Sequence, residues 1–231
     1  MEDEHITGIC LGMCPEEEIK LRQREGLLHR LEVFNPERNT NKSNYCAVKQ
    51  FSRSAAGQNM QNVKLLRPGP VLMHTVKYLL DEVINSKECP WHVVYAFITD
   101  RLRAVRQDMI IQRISRSYCV AILQPIIGFH AYAAYRLCNE PVPNFDPVLN
   151  KQHLNECLKM LLSLYDEFEM FEEQYPNELL AKVKWGSDIQ SYNYDVNFEK
   201  TRPFMEALYL VLNLGHSDPI LRGLILPKKF K

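Results

Sequence analysis

Thr99-Asp-Arg-Leu-Arg-Ala-Val-Arg-Gln-Asp-Met-Ile-Ile-Gln112 places Arg101, Arg103, Arg106 and Gln107 between two aspartates, in a run that also reads as a helix. At about 100° per residue, Leu102, Val105 and Met109 fall on one face, with Val94 and Ile98 on the same face in the turns before. Arg103, Arg106 and Gln107 fall on the far side. Arg101, Asp108 and Gln112 form a third line along the edge of the apolar face. Polar groups bordering an apolar stripe must find partners or suffer desolvation. The expectation is a half-buried helix whose charges pair with neighbouring elements. The sharper alternative is that its arginine side docks RNA or an acidic partner.

The rest of the chain sets bounds. Its 231 residues suffice for one large domain or two small ones with a real core. Lys plus Arg number 28, as do Asp plus Glu, so the formal net charge is zero. Proteins that coat nucleic acid are usually basic overall, so any RNA contact here is local and weak. No run of 18 apolar residues is present, so no membrane span is expected. The acidic start Met1-Glu-Asp-Glu4 is unlike a signal peptide. Seven scattered cysteines suit reduced thiols in the cytosol or nucleus.

In chain order, residues 1–14 read as a leader, 15–215 as the helical domain and 216–231 as a C-terminal tail. Cys10 and Cys14 stand as C-x3-C with no second pair at zinc-finger distance, so they read as structural thiols. Pro15 followed by Glu16, Glu17 and Glu18 predicts a helix start, with the helix running to Val33 and using Ile19, Leu27, Leu28 and Leu31. Asn39–Asn44 reads as a loop. Val48–Gly57 lacks the phosphate-loop pattern.

The segment 67–84 is the clearest amphipathic helix, starting near Pro70 and burying Val71, Leu72, Thr75, Val76, Leu79, Leu80, Val83 and Ile84. His74 borders that stripe as a packed side chain. The helix of the opening motif begins near Trp91. Residues 117–138 predict a buried helix kinked at Pro125, with His130 as a satisfied core residue. Asn150 caps the next, running to about Tyr175 with Leu154, Leu158, Leu161, Leu162, Tyr165 and Phe168 inward. Its acids Asp166, Glu167, Glu169, Glu172 and Glu173 read as a solvated face. A short helix Pro176–Trp185, a loop 186–195 and a final helix 198–214 stopped by Gly215 complete the pattern. Strand signals are few, so the fold class is all-α, built of stacked antiparallel helix pairs.

Chemistry is scarce. No nucleophile elbow, H-E-x-x-H or calcium loop is present. Asp100 and Asp108 have neighbouring arginines and read as ion-pair members, not as a general acid and base. No catalytic or metal residue, cofactor or small-molecule substrate is expected; the composition is that of a helical binding module.

Four blocks carry a resemblance. They are Gly8-x-Cys10-x-x-Met13-Cys14-Pro15, Phe51-Ser-Arg-Ser-Ala-Ala-Gly57, Arg67-Pro-x-Pro70-Val-Leu-x-x-Thr75-x-x-Tyr78-Leu-Leu80, and Asp100-Arg-x-Arg-Ala-Val-Arg-Gln-Asp108-x-x-x-Gln112. In this order they resemble the signature blocks of the GANP family, over roughly residues 8–215. Large members are scaffolds of the nuclear-pore-associated transcription-and-export complex. The resemblance implies a TPR-like or PCI-like helical domain without a catalytic centre, here expected to lack the winged helix of the large members. The small single-domain members, linked with centrosome duplication and spindle function, are the nearer likeness.

A scaffold in centrosome duplication and mitotic spindle progression is therefore expected, in nucleus and cytoplasm including centrosome and spindle, with centrosomal or spindle proteins as partners. The alternative is a nuclear mRNA-export adaptor that binds a PCI-domain protein and RNA. Arg67, Pro70, Arg101, Asp108, Gln112, Cys14 and Pro15 are taken as the structural motif. Arg103, Arg106, Arg113, Arg116, Lys228, Lys229 and Lys231 are the candidate partner or RNA contacts.

Overall fold

The computed structural model describes residues 6–33, 46–53, 61–174 and 198–230. These contain seven α-helices and no strand, so the chain is all-α. The helices are α1 (Glu16–Arg24), α2 (Gly69–Asp81), α3 (Trp91–Gln112), α4 (Arg116–Arg136), α5 (Pro147–Gln174), α6 (Phe198–Leu212) and α7 (Ser217–Ile225). Two compact units divide the chain: Met1–Tyr118 with Asn139–Phe145, and Cys119–Cys138 with Asp146–Lys231. The predicted helix 176–185, the loop 186–195 and the loop 39–44 lie outside the described residues.

In the first unit, Pro15 takes the N-cap of α1 with extended backbone, and three glutamates occupy the first turn, where the helix dipole favours them. The helix stops at Arg24, nine residues short of the expected Val33. Gly26 sits at φ +67°, its N–H bonds Gln23 O, and Leu27 N bonds Arg22 O at 2.7 Å. That is a Schellman closure, in which a left-handed glycine turns the chain off the helix axis. Leu27 is consequently 60% exposed rather than part of an apolar face.

Helix α2 starts after Pro68, with Pro70 in its first turn, and ends at Asp81 before a 3-10 turn, Val83–Asn85. It buries Leu72, Met73, Thr75, Val76 and Leu79 and packs on α3. His74, expected to pack, is exposed. Helix α3 buries Val94, Ile98, Leu102, Val105 and Met109 as its period predicts, and buries Arg101, Asp108 and Gln112 as well. It ends at Arg113, a non-glycine residue at φ 47°.

In the second unit, α4 runs through Pro125, and its length and composition would allow a membrane span; half of that window is buried within the protein. The segment holds no run of 18 apolar residues, being broken by Gln124 and His130, and it is apolar only on average, as a core helix also is. His130 is buried, its Nδ1 2.8 Å from Asn150 Oδ1, while Asn150 Nδ2 donates to His130 O at 3.0 Å. Asn150 is therefore a core residue and not the cap. Asp146 caps α5, its Oδ1 accepting from Val148 N at 2.9 Å and Leu149 N at 3.1 Å, ahead of Pro147 at the first helical position. Leu154, Leu158, Leu161, Leu162 and Tyr165 are buried as expected. Helix α6 packs on α5 and α7 on α6. Helix α7 lies beyond Gly215, where only a tail was expected.

Candidate functional site

The polar line of α3 is the centre of a buried framework. Asp108, wholly buried, accepts from Lys49 Nζ at 2.6 Å through Oδ1 and from Arg67 Nε at 2.7 Å through Oδ2. Lys49 also donates to Leu65 O, and Arg67 Nη1 to Met13 O at 3.1 Å. Gln112 donates to Arg67 O at 2.8 Å and to Asp108 O at 2.9 Å, and its Oε1 accepts from Gly8 N at 2.7 Å. One helix face thereby ties down the leader, the segment around Lys49 and the approach to α2.

Gly8 fits only because it lacks a side chain. A Cβ there would lie 2.2 Å from Leu66 O and 2.8 Å from Gln112 Oε1. Gly8→Ala is expected to displace the leader, to cost about 1–3 kcal/mol through the orphaned Gln112 acceptor, and to raise amide exchange over residues 8–13. Unchanged exchange there would contradict this packing.

A second cluster surrounds Glu32. Its Oε1 accepts from Val48 N at 3.0 Å and pairs with Arg101 Nη2 at 3.3 Å; its Oε2 accepts from His29 N and from Arg22 Nη2. Arg101 Nη1 also reaches Asp100 at 2.6 Å, and its guanidinium lies over the Phe97 ring. Asp100 accepts from Phe51 N at 3.3 Å, Gln107 donates to Ser52 O, and Arg103 stacks on Phe51 at 3.9 Å. All four sequence blocks therefore meet on α3: Gly8 and Met13, Phe51, Arg67, and Asp100 to Gln112.

The structural-motif residues converge only in part. Arg67, Arg101, Asp108, Gln112 and Cys14 are buried; Pro15 is buried at the N-cap of α1, and Pro70 is exposed on α2. Burial pushes the Cys14 thiol far up, and Cys10 more modestly, so neither is a ready thiolate nucleophile. No group of three or more His, Cys, Asp or Glu among the described residues is placed to hold a metal.

The candidate contact residues separate. Arg103 and Arg106 are half-buried on α3, while Arg113 and Arg116 are exposed where α3 gives way to α4. Lys228 and Lys229 belong to the other unit, and Lys231 lies outside the described residues. Lys229 Nζ is 3.2 Å from Glu169 and 4.8 Å from the Phe230 ring centre, so its charge is already matched.

The acids of α5 are likewise not all a solvated face. Arg202, 1% exposed, pairs with Asp166 at 2.7 Å, Glu169 at 3.2 Å and Glu206 at 3.3 Å, beneath the Phe230 ring. Arg222 of α7 bonds Glu206 at 2.6 Å and Asp166 at 2.7 Å, and these bonds hold its guanidinium well above its usual range despite burial. The second unit thus uses a carboxylate cluster to fasten α6 and α7 to α5.

Sequence reasoning passed over Lys49, Glu32, Arg22, Arg202, Glu206 and Arg222. The i, i+4 pairs Glu18–Arg22 and Arg202–Glu206 were the available signals. Lys49 sits in an aperiodic segment and gave none; Glu32 fell inside the helix expected to run to Val33, which placed it on a helix and gave no sign of its partners.

Comparison with known proteins agrees with the four blocks. A family model described as the SAC3/GANP family matches residues 13–183. SAC3 family protein B of Arabidopsis thaliana is 33% identical over 224 residues, covering 94% of this chain and 12% of its own length. SAC3 family protein 1 of Schizosaccharomyces pombe is 32% identical over 179 residues, covering 76% and 17%. Protein xmas of Drosophila melanogaster is 29% identical over 178 residues, covering 74% and 8%. The chain thus spans a small part of the length of each of these relatives.

Proposed function

Because this chain belongs to the SAC3/GANP family, we propose that it is a non-enzymatic helical scaffold that acts in centrosome duplication and mitotic spindle progression. Its partners are centrosomal or spindle proteins, met in nucleus and cytoplasm. The observation that carries the reading is the internal use of charge. Asp108, Arg67, Arg101, Arg202 and Lys229 are matched by groups of the chain itself, within a formal net charge of zero. Such a molecule has little uncompensated cation for phosphates and much fixed surface for proteins.

The export-adaptor reading, with a PCI-domain partner and RNA, draws on one observation, the exposure of Arg113 and Arg116 near Arg103 and Arg106 in sequence. Salt separates the two. Four phosphate contacts on a single strand would give a slope of about −3 in log affinity against log salt. The scaffold reading expects single-stranded RNA to bind weakly with a slope shallower than about −1. A slope near −3, abolished by changing the four arginines to glutamine, would favour the adaptor.

A further inference from the structure

Helix α7 is amphipathic and sits with its apolar side outward. At about 100° per residue, Ile220, Leu221, Leu224 and Ile225 share one side of it, and Pro219, Arg222 and Leu226 the other. A helix packed on a core normally buries the first set. Here Pro219 and Leu226 are buried and Arg222 binds Glu206 and Asp166, while Ile220, Leu221, Leu224 and Ile225 are 47–81% exposed. The cause lies beneath the helix. Carboxylates of α5 and α6 draw the guanidinium inward, and the branched aliphatic side chains are turned out. Helix α6, on which α7 packs, has the same character. It buries Arg202, Met205, Glu206 and Tyr209, and it exposes Phe204, Ala207, Val211 and Leu214, which stand three and four apart along one stripe.

The exposed apolar side chains of these two helices amount to roughly 800 Å², which is what one partner contributes to a standard protein interface. The largest apolar patch of a monomer is usually about 300–600 Å². The charges at the two ends of α7 select the partner. Asp218 is exposed in its first turn, and Lys228 is exposed just beyond its last. When a second α7 is laid antiparallel on the first, each end meets the opposite charge. The face is thus complementary to itself, as a two-fold contact requires. A formal net charge of zero removes the repulsion that would hold two copies apart. An anionic lipid surface, by contrast, would be repelled by Asp218 at one end of the face.

We propose that the outer face of α6 and α7 binds a second copy of this chain, with the two α7 helices antiparallel across a two-fold axis and Asp218 of each copy beside Lys228 of the other. The inference goes beyond the scaffold reading and does not rest on it: a two-fold pair would present every other surface of the chain twice.

The test is sedimentation equilibrium of the full chain at micromolar concentrations. A mass of twice 27.0 kDa is expected, falling towards that of one chain on dilution. Leu221→Asp on α7 and Val211→Asp on α6 place a carboxylate inside the contact without a partner. Each should melt like wild type and sediment as a monomer where the wild type is a dimer; if one fails to fold, the other decides. Asp218→Lys should weaken the dimer several-fold, because both end pairs become like-charged, and adding Lys228→Asp should restore it. A wild type that stays monomeric overturns the proposal, and if it then binds vesicles of phosphatidylcholine and phosphatidylserine the face belongs to a membrane. Open-ended aggregates, dimers that survive both carboxylate substitutions, or a charge-swapped double variant no tighter than Asp218→Lys also overturn it.

Discussion

Asp108→Ala is expected to destabilise the protein by about 3–5 kcal/mol, because it removes one partner of a buried ion pair and leaves the other side uncompensated. Here two cations are left: Arg67, wholly buried, and Lys49, with little exposure. The effect reaches further than the pair. Arg67 positions the carbonyl that Gln112 binds, and Gln112 holds Gly8. Leader, Lys49 segment and α3 should therefore loosen together, with melting lowered on the order of 10 °C. Asp108→Asn keeps the shape and one acceptor and should fall between. The check is chemical denaturation of all three proteins. An Asp108→Ala protein that melts like wild type but loses a partner would show that this aspartate serves an interface and not the core.

The second large effect belongs to the other unit. Arg202→Ala should cost about 3 kcal/mol, as it withdraws the buried cation around which Asp166, Glu169 and Glu206 converge. Arg222 and Lys229 still face those acids, which keeps the loss below that of a fully orphaned cluster. Arg202→Met refills the space beneath Phe230 without the charge. It should remain destabilised by more than half as much as the alanine variant. If the methionine variant is as stable as wild type, packing and not the ion network fastens α6 and α7, and the role given to the α5 acids fails.

The helices were legible wherever one period governed a long run. Leu102, Val105 and Met109 announced the buried side of α3, and Arg101, Asp108 and Gln112 stood out as groups needing partners. The partners themselves were not legible. Lys49 comes from a segment without period and Glu32 from one whose apparent period was misleading, and nothing local says which distant cation meets which carboxylate. Leucines continued a helical rhythm past Gly26, whose left-handed turn ended α1 first. Asn150 looked like a cap because it precedes the inward leucines, yet Asp146 opens the same helix one turn earlier. Helix α7 was hidden because its attachment is electrostatic, through Arg222, and its apolar residues Ile220, Leu221 and Ile225 are exposed. The four family blocks were legible as words and not as a place. Only the fold shows that they interlock on α3.

That interlocking separates two roles that the arginine-rich stretch confounds. Arg101 is spent inside the molecule, whereas Arg113 and Arg116 stand on its surface. Substitutions at Arg101 will thus report on folding, and those at Arg113 and Arg116 on contacts made by a folded protein.

The most direct test of the scaffold account is affinity capture of the tagged protein from nuclease-treated mitotic and interphase lysates, read by mass spectrometry alongside a variant with Arg103, Arg106, Arg113 and Arg116 changed to glutamine. Recovery of centrosomal or spindle proteins by the wild type, strongest in mitosis and weakened in the variant, is the expected result. Recovery instead of a PCI-domain protein with nuclear-pore components, in both lysates, would contradict it and assign the chain to mRNA export.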